Sequence, residues 1–215
     1  MCVRFAGYDW VVKKSDRFDP GGNKWDDEAS TTVWVDADGL HLKLWKRVFP
    51  DGVTFWYCAE VMLNESLGYG KYSVDVASKT GTLDRNAVLG IFTYDYNDPA
   101  FSHRELDIEF STQLGTGTYG HFTVQPYQPA YNNHGFNSSE TGTHSIEWRP
   151  DKIIFQSGGE SWLYVPGVTP AGIPFGQVPV PGSEHFRLNL WLFDHRPPAN
   201  DVQQEIVVSS FRFER

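Results

Sequence analysis

The stretch Glu105-Leu106-Asp107-Ile108-Glu109-Phe110 decides how this 215-residue chain is interpreted. In a β-strand, successive side chains point to opposite faces. The stretch therefore predicts a strand that places Leu106, Ile108 and Phe110 in a core and three carboxylates together on the other face. Three like charges on one face repel one another, so stability alone gives no reason for this arrangement.

These carboxylates suit one kind of chemistry. Retaining glycoside hydrolysis needs one carboxyl group as nucleophile and a second as general acid and then base. The Cα atoms of Glu105 and Glu109 are about 13 Å apart along a strand, so the side chains must lean together to reach the roughly 5–5.5 Å of retaining enzymes. Asp107 adds a like charge that favours a proton on one neighbour. The alternative is an acidic, half-solvated edge strand.

The rest of the chain predicts an all-β protein. Helical periodicity is nearly absent, and short alternating runs are separated by Gly, Pro, Asn and Asp. Thr31–Val35 and Leu40–Trp45, joined by a turn at 36–39, predict a hairpin. Further strands are predicted at Phe55–Met62, Gly70–Ala77, Ala87–Tyr94, Glu105–Phe110, Tyr119–Gln125, His144–Trp148, Ile153–Gln156, Phe186–Phe193 and Ile206–Phe213.

Two segments break this pattern. Asn23–Ser30 is a candidate short helix, and Val165–Pro181 is rich in Pro and Gly, which indicates a surface loop. We find no linker or repeat. We therefore expect one domain over residues 1–215, a two-sheet antiparallel β-sandwich of jelly-roll type with a concave substrate cleft.

The same alternation indicates which side chains share a face with the carboxylates. In Phe186–Phe193, the stripe of leucines at 188, 190 and 192 fills one face and leaves Asn189 and Trp191 on the other. Flat rings and amides are what a sugar ring needs. The candidate substrate-binding residues found this way are Phe92, Tyr94, His121, Thr123, Gln125, Asn189 and Trp191.

Composition limits the partners. The net charge of −9 argues against nucleic acid, because phosphate binding relies on clustered Lys and Arg. A neutral polysaccharide or oligosaccharide is compatible with an acidic surface, and a polyanion is less so. No stretch approaches the roughly 18 apolar residues of a membrane span. We find neither H-E-x-x-H nor G-x-S-x-G, and we assign no metal ligands.

The two cysteines give no disulfide framework, and Cys58, inside an aromatic run, is expected to be a buried thiol. Cys2 lies at the terminus. No apolar segment of a signal peptide follows Met1. A protein without such a segment is either cytoplasmic or a secreted protein that has lost its leader, and we favour the secreted protein. We expect a monomer.

Several segments, in their order along the chain, resemble glycoside hydrolase family 16, which contains lichenases, laminarinases and xyloglucan-active enzymes. They are Gly68-Tyr69-Gly70-Lys71-Tyr72, Ile91-Phe92-Thr93-Tyr94, the acidic stretch, 143–150 (THSIEWRP), Leu188-Asn189-Leu190-Trp191 and the closing strand Val207–Phe213. The resemblance covers the chain from about Thr31 to the C-terminus.

This resemblance implies that Glu105 is the nucleophile, Asp107 its electrostatic helper and Glu109 the acid/base. It implies a retaining, endo-acting β-glucan hydrolase that needs no cofactor. Some family members hold a structural calcium ion, for which this sequence identifies no ligands.

The E-x-D-x-E motif, which has no extra residue before its last Glu, resembles that of lichenase-like and xyloglucan-active members. His103 departs from lichenases, which usually have Trp there, and agrees with xyloglucan-active members, so His103 joins the substrate-binding candidates. Arg104 replaces their usual Asp, and their cysteine-bearing extension is absent. The substrate stays open, as do two alternatives: a transglycosylase on xyloglucan-like substrates and a non-catalytic carbohydrate-binding sandwich. The intact carboxylates disfavour the last.

Overall fold

The computed structural model describes residues 1–15, 22–25, 31–114, 117–127, 131–137, 141–168, 172 and 174–215. The strands in chain order are β1 (Cys2–Phe5), β2 (Tyr8–Val12), β3 (Lys24–Trp25), β4 (Val33–Val35), β5 (Leu40–Val48), β6 (Thr54–Leu63), β7 (Gly70–Val76), β8 (Ala87–Tyr94), β9 (Leu106–Phe110), β10 (Gly120–Val124), β11 (Asn133–Phe136), β12 (Gly142–Trp148), β13 (Ile153–Ser157), β14 (Glu160–Tyr164), β15 (Gly167–Val168), β16 (Pro174–Phe175), β17 (His185–Leu192) and β18 (Gln204–Glu214). One helical turn, α1, covers Phe101–Arg104, and 3₁₀ turns cover Thr80–Thr82 and Phe193–His195.

The strands form two antiparallel layers. The first layer has the order β11-β10-β9-β8-β17-β6, with β2 and then β1 beyond β6. The second has the order β5-β18-β7-β12-β13-β14, with β4 beside β5. The hydrogen-bonded ladder is continuous between the layers because β5 and β6 also pair with each other over Trp45–Val48 and Thr54–Tyr57. This architecture confirms the predicted sandwich.

Aromatic contacts join the two layers. Tyr72 of β7 stacks on Phe186 of β17 with ring centroids 5.0 Å apart. The ring of Phe155 on β13 lies 5.4 Å from the ring of Phe122 on β10. Offset and edge-to-face rings bury large areas and pack well, so these contacts fix the layers against each other and leave the opposite face of the first layer available for a cleft.

The structure corrects the expected helix at Asn23–Ser30. Lys24–Trp25 is the strand β3, which runs parallel to β6, and residues 26–30 lie outside the described residues. Val165–Pro181 includes the short β15–β16 pair, and its residues 169–171 and 173 lie outside the description. Cys58 is fully buried, as predicted, and Cys2 begins a strand. In the described part of the chain, no helix is long and apolar enough to cross a membrane.

Candidate active site

Strand β9 lies inside the first layer, between β8 and β10. Leu106, Ile108 and Phe110 are fully buried in the core, as side-chain alternation predicts. Glu105, Asp107 and Glu109 point the other way and together line a cavity of about 120 Å³. The acidic strand is therefore an interior strand of a cleft, and the half-solvated edge strand is excluded.

A turn of unusual backbone leads into this strand. All four residues of α1 have positive φ, between 52° and 63°, and each such non-glycine residue costs about 1–2 kcal/mol. Hydrogen bonds oppose this strain: the His103 carbonyl accepts from the Asp95 amide at 2.7 Å, and the Arg104 carbonyl accepts from the Thr93 hydroxyl at 2.7 Å. The Arg104 side chain also donates to Asp95 at 3.2 Å. These bonds fix where Glu105 enters the cleft.

The three carboxylates share an environment that favours protons. Burial, followed by repulsion from Glu109, raises the pKa of Glu105 to about 8, although the Arg187 cation opposes the shift. Burial raises the pKa of Glu109 to about 7. Asp107 is only 3% exposed, and burial and both glutamates raise its pKa, while a hydrogen bond from Gln125 at 3.0 Å acts against that rise. Near neutral pH the cluster therefore retains protons.

The cleft widens on both sides of the carboxylates. On the Glu105 side, a cavity of about 430 Å³ is lined by Phe92, Tyr94, Asn189 and Trp191. On the other side, a cavity of about 300 Å³ is lined by Glu109 with three predicted residues, which are His121, Thr123 and Gln125. The structure thus places seven of the eight predicted substrate-binding residues in one cleft.

His103 is the exception. Its ring stacks on Tyr94 with centroids 4.8 Å apart, and its Nδ1 hydrogen-bonds the Asp95 carbonyl at 2.8 Å. His103 is not among the residues that line the three cavities of the cleft. The structure places its ring against Tyr94, which does line the cleft, and a direct contact of His103 with substrate stays a prediction.

Sequence reasoning missed polar residues that line the cleft. Glu60 is 3% exposed and forms an ion pair with Arg187 at 2.7 Å. A lone carboxylate within the apolar run of 57–63 was the available signal, because a buried charge requires a partner. Gln113, Tyr127 and other residues of the Glu109 side come from loops, where side-chain alternation gives no signal.

Gly90 makes room for Asn189. Gly90 lies directly opposite Asn189 on one side and Glu109 on the other. A Cβ at Gly90 would lie 2.4 Å from Asn189 Oδ1. That oxygen is buried without a hydrogen-bond partner among the described residues, so Asn189 is a polar group of the cleft that the fold itself leaves unsatisfied.

Within the described ranges, no group of three His, Cys, Asp or Glu side chains could hold a metal ion.

The strands form a jelly-roll sandwich whose first layer carries the acidic cleft. Three solved structures share this fold: a β-glucanase of Bacillus licheniformis (TM-score 0.66, 18% identity, 95% of this chain and 92% of that one), SCLam, a non-specific endo-β-1,3(4)-glucanase from family GH16 (0.70, 14%, 96% and 84%), and a LamA variant of Z. galactanivorans in complex with laminaritriose and laminaritetraose (0.64, 13%, 96% and 92%). No protein-family model and no curated protein matches the sequence. At these identities the likeness establishes the fold.

Replacing Gly90 should disturb Asn189 specifically. We expect Gly90→Ala to lower the free energy of unfolding. In an Asn189→Ala background the same substitution should lower it by a smaller amount, because the added methyl group then has space. The coupling should be about 0.5–3 kcal/mol, measured by chemical unfolding of the single and double variants. Gly159→Ala, where a Cβ has no neighbour within 4 Å, is the control. Equal losses with and without Asn189 would contradict this packing.

Neutralising Glu109 should stabilise the fold at neutral and alkaline pH. The pKa of Glu109 is raised from 4.5 to about 7 in the folded state, so the parent loses stability as the pH rises through that interval. Glu109→Gln removes this loss, and we expect a gain on the order of 1–3 kcal/mol at pH above about 7 and almost none below about 4. Urea unfolding against pH measures it, with the exposed Glu160→Gln as control. A gain independent of pH would be contrary to this electrostatic account.

Proposed function

We propose that this protein is a retaining, endo-acting glycoside hydrolase that cleaves β-glucan-type polysaccharide through a covalent glycosyl-enzyme intermediate. The observation that carries the proposal is one cavity lined by Glu105, Asp107 and Glu109, with wider cavities on both sides. A cleft that continues past the carboxylates in both directions accommodates an internal bond of a polymer, which favours endo action.

The two flanking cavities suggest a direction for the bound chain. In the retaining mechanism the nucleophile bonds to the anomeric carbon of the glycone, and the acid protonates the oxygen of the leaving sugar. Glu105 belongs to the cavity with Phe92 and Trp191, which we assign to the glycone. Glu109 belongs to the cavity with His121 and Gln125, which we assign to the leaving group and later to water. Asp107, between them, favours a proton on a neighbour.

Substrate binding must make Glu105 the ionised carboxylate. In the free protein, burial raises the pKa of Glu105 and the pKa of Glu109, so both carboxyl groups favour the protonated form near neutral pH. The transition state carries positive charge on the glycone ring, and that charge lies beside the nucleophile and favours its anion. The Arg187 cation already acts in the same direction. The proton then remains on Glu109, where it is needed.

The comparisons support the proposal at the level of a glycoside hydrolase. SCLam is an endo-β-1,3(4)-glucanase, and the LamA variant was solved with laminarin-type oligosaccharides. A transglycosylase is the second candidate, because the roughly 300 Å³ cavity beside Glu109 would hold an acceptor sugar as readily as water. We further propose that the protein acts outside the cell, where such polymers occur.

The direct test is hydrolysis of barley mixed-linkage glucan, laminarin, xyloglucan and agarose, with products analysed with and without acceptor oligosaccharide. We expect internal cleavage of a β-glucan and β-configured first products. Longer products that form only with acceptor would favour the transglycosylase. Binding of these polymers without any cleavage would favour the non-catalytic sandwich and contradict the proposal.

Substitution of the two glutamates should reduce activity in different ways. Glu105→Ala cannot form the glycosyl-enzyme, so we expect it to lose retaining turnover on every substrate. Glu109→Ala leaves the leaving oxygen unprotonated, so we expect loss on natural glucans, while aryl glycosides with good leaving groups should still form the intermediate.

Azide then separates the roles. With an aryl glycoside, added azide should restore turnover of Glu109→Ala and give the β-glycosyl azide, because azide attacks without a general base. In Glu105→Ala, azide should occupy the vacated space and give the α-product by direct displacement. The reverse pattern would show that the roles are exchanged, and full activity of both variants on a polymer would refute the catalytic assignment.

Trp191 should contribute more to substrate binding than to the stability of the fold. Its side chain is half-buried at the cavity, opposite the buried leucines of β17. We expect Trp191→Ala to weaken substrate binding by about tenfold or more with a small loss of stability. Trp148→Ala, at a fully buried tryptophan of the second layer, is the contrast and should cost about 3–5 kcal/mol in unfolding. A Trp191→Ala variant that unfolds like Trp148→Ala but binds substrate normally would refute this role.

A further inference from the structure

Glu105 lies just outside the paired part of the sheet. The pairing of β9 with β8 and with β10 begins at Leu106, so the other two carboxylates lie between two strands and Glu105 precedes them. The Glu105 amide donates to the Ser102 carbonyl at 3.3 Å, and its carbonyl accepts from the Gln125 amide at 3.1 Å. The direction of the Glu105 side chain therefore depends on the turn 101–104, which comes directly before it.

The side chain of Arg104 holds both ends of this turn. Arg104 is the last residue of the turn and is 7% exposed. Its Nη1 lies 2.8 Å from Asp98 and 3.2 Å from Asp95, and its Nε donates to the Val180 carbonyl at 2.8 Å. Its guanidinium carbon lies 5.6 Å from the ring centroid of Phe101, the first residue of the turn. One side chain thus connects the turn to the residues before it and to the loop at 180.

Asp95 is the buried acceptor at the centre of these contacts. Its side chain is 1% exposed and accepts from the amides of 97–98, from the Ser183 amide and from Arg104. Its amide also donates to the His103 carbonyl at 2.7 Å. A buried carboxylate requires partners of this kind, so removal of Arg104 takes away the cation that binds Asp95 and weakens the hold on the turn.

The turn depends on these contacts because its backbone is strained. Residues 101–104 have φ between 52° and 63°, a left-handed conformation that non-glycine residues rarely adopt. Such a backbone persists only where its surroundings hold it. A change of these dihedral angles would redirect the residue that follows the turn, which is Glu105.

Arg104 does not act on Glu105 as a charge. Burial, repulsion from Glu109 and the Arg187 cation shift the pKa of Glu105, and Arg104 is not among these causes. Arg104 is also absent from the described residues that line the three cavities of the cleft. An effect of Arg104 on the reaction must therefore pass through the backbone of the turn.

We propose that Arg104 is a positioning residue, which holds the turn 101–104 in its left-handed form and so aims Glu105 at the anomeric carbon of the glycone. This inference rests on the proposed function for the reaction that Glu105 performs. Bond formation at Glu105 should depend on Arg104, whereas substrate binding should not, because Arg104 lies outside the cleft.

Single-turnover kinetics separates these two quantities. A dinitrophenyl β-glycoside of a laminarin-type oligosaccharide is mixed with excess protein. A carboxylate oxygen of Glu105 bonds to the anomeric carbon, and dinitrophenolate leaves with the electron pair and needs little acid help. The rate constant reports this step, and the half-saturating protein concentration reports binding. We expect Arg104→Gln to lower the rate constant about 10–100-fold and to change binding by less than about twofold.

Matched variants separate positioning from stability and from charge. All rates are measured below the unfolding temperature of each variant. Arg149→Gln removes an arginine that pairs with Glu147 in the second layer and should keep the parental rate. Arg104→Lys keeps the charge but loses the fork of donors, so its rate constant should fall by a smaller factor, about threefold or more. It carries the test if Arg104→Gln does not fold.

Hydrogen exchange reads the turn without any substrate. The amides of Asp95, Ser183 and Gln125 donate to His103, Asp95 and Glu105, respectively. In Arg104→Gln, exchange at these three amides should accelerate about tenfold more than at the Ile146 amide of the second layer. The comparison with Ile146 removes any effect of global stability.

The outcomes distinguish this inference from the proposed function. A parental rate constant in Arg104→Gln, or in Arg104→Lys where only that variant folds, would overturn the positioning role. So would an equal loss of rate and binding, which indicates contact with substrate, or a shifted pH midpoint of the rate, which indicates an electrostatic role. If the parent releases no dinitrophenolate and cleaves no polymer, the proposed function fails. Exchange then decides alone: local acceleration supports the hold of Arg104 on the turn, and a uniform change overturns it.

Discussion

The burial of three carboxylates on one face of one strand is the constraint on which the rest of the structure depends. Burial acts against the ionisation of all three, and repulsion by neighbouring carboxylates adds to it at Glu105 and Asp107. The strand stays in place because its other face, Leu106, Ile108 and Phe110, is fully buried. Phe110 makes edge-to-face contact with His144 of the second layer at 4.9 Å. The aromatic core thus compensates for a site that is unfavourable by itself, as expected where function and stability conflict.

Residues around the carboxylates determine how far the pKa of each carboxyl group is shifted. Gln125 donates to Asp107 and opposes its rise in pKa, and Arg187 acts on Glu105 in the same sense. Gly90 leaves space for Asn189 beside Glu109. The cleft is therefore asymmetric in charge: Lys13 and Arg187 line the Glu105 side, whereas the described residues that line the Glu109 side include no Lys or Arg.

Side-chain alternation could be predicted wherever a strand has one aliphatic face. The hairpin of β4 and β5, the bounds of β8 and the faces of β9, β10 and β17 follow from it, and with them most of the cleft. Conformations that depend on distant contacts could not be found this way. The turn 101–104 contains no glycine, yet its backbone is left-handed because Asp95, Thr93 and Arg104 hold it. Likewise, β3 is only two residues long and is defined by its pairing with β6.

The proposed mechanism requires that Glu105 form a covalent bond to the glycone. A 2-deoxy-2-fluoro-β-glycosyl fluoride of a laminarin-type oligosaccharide forms the intermediate readily and releases it slowly, so the labelled protein can be digested and its peptides analysed by mass spectrometry. We expect one sugar per chain, attached to Glu105. A label on Asp107 or Glu109, or turnover of a β-glucan with inverted first products and no label, would contradict it.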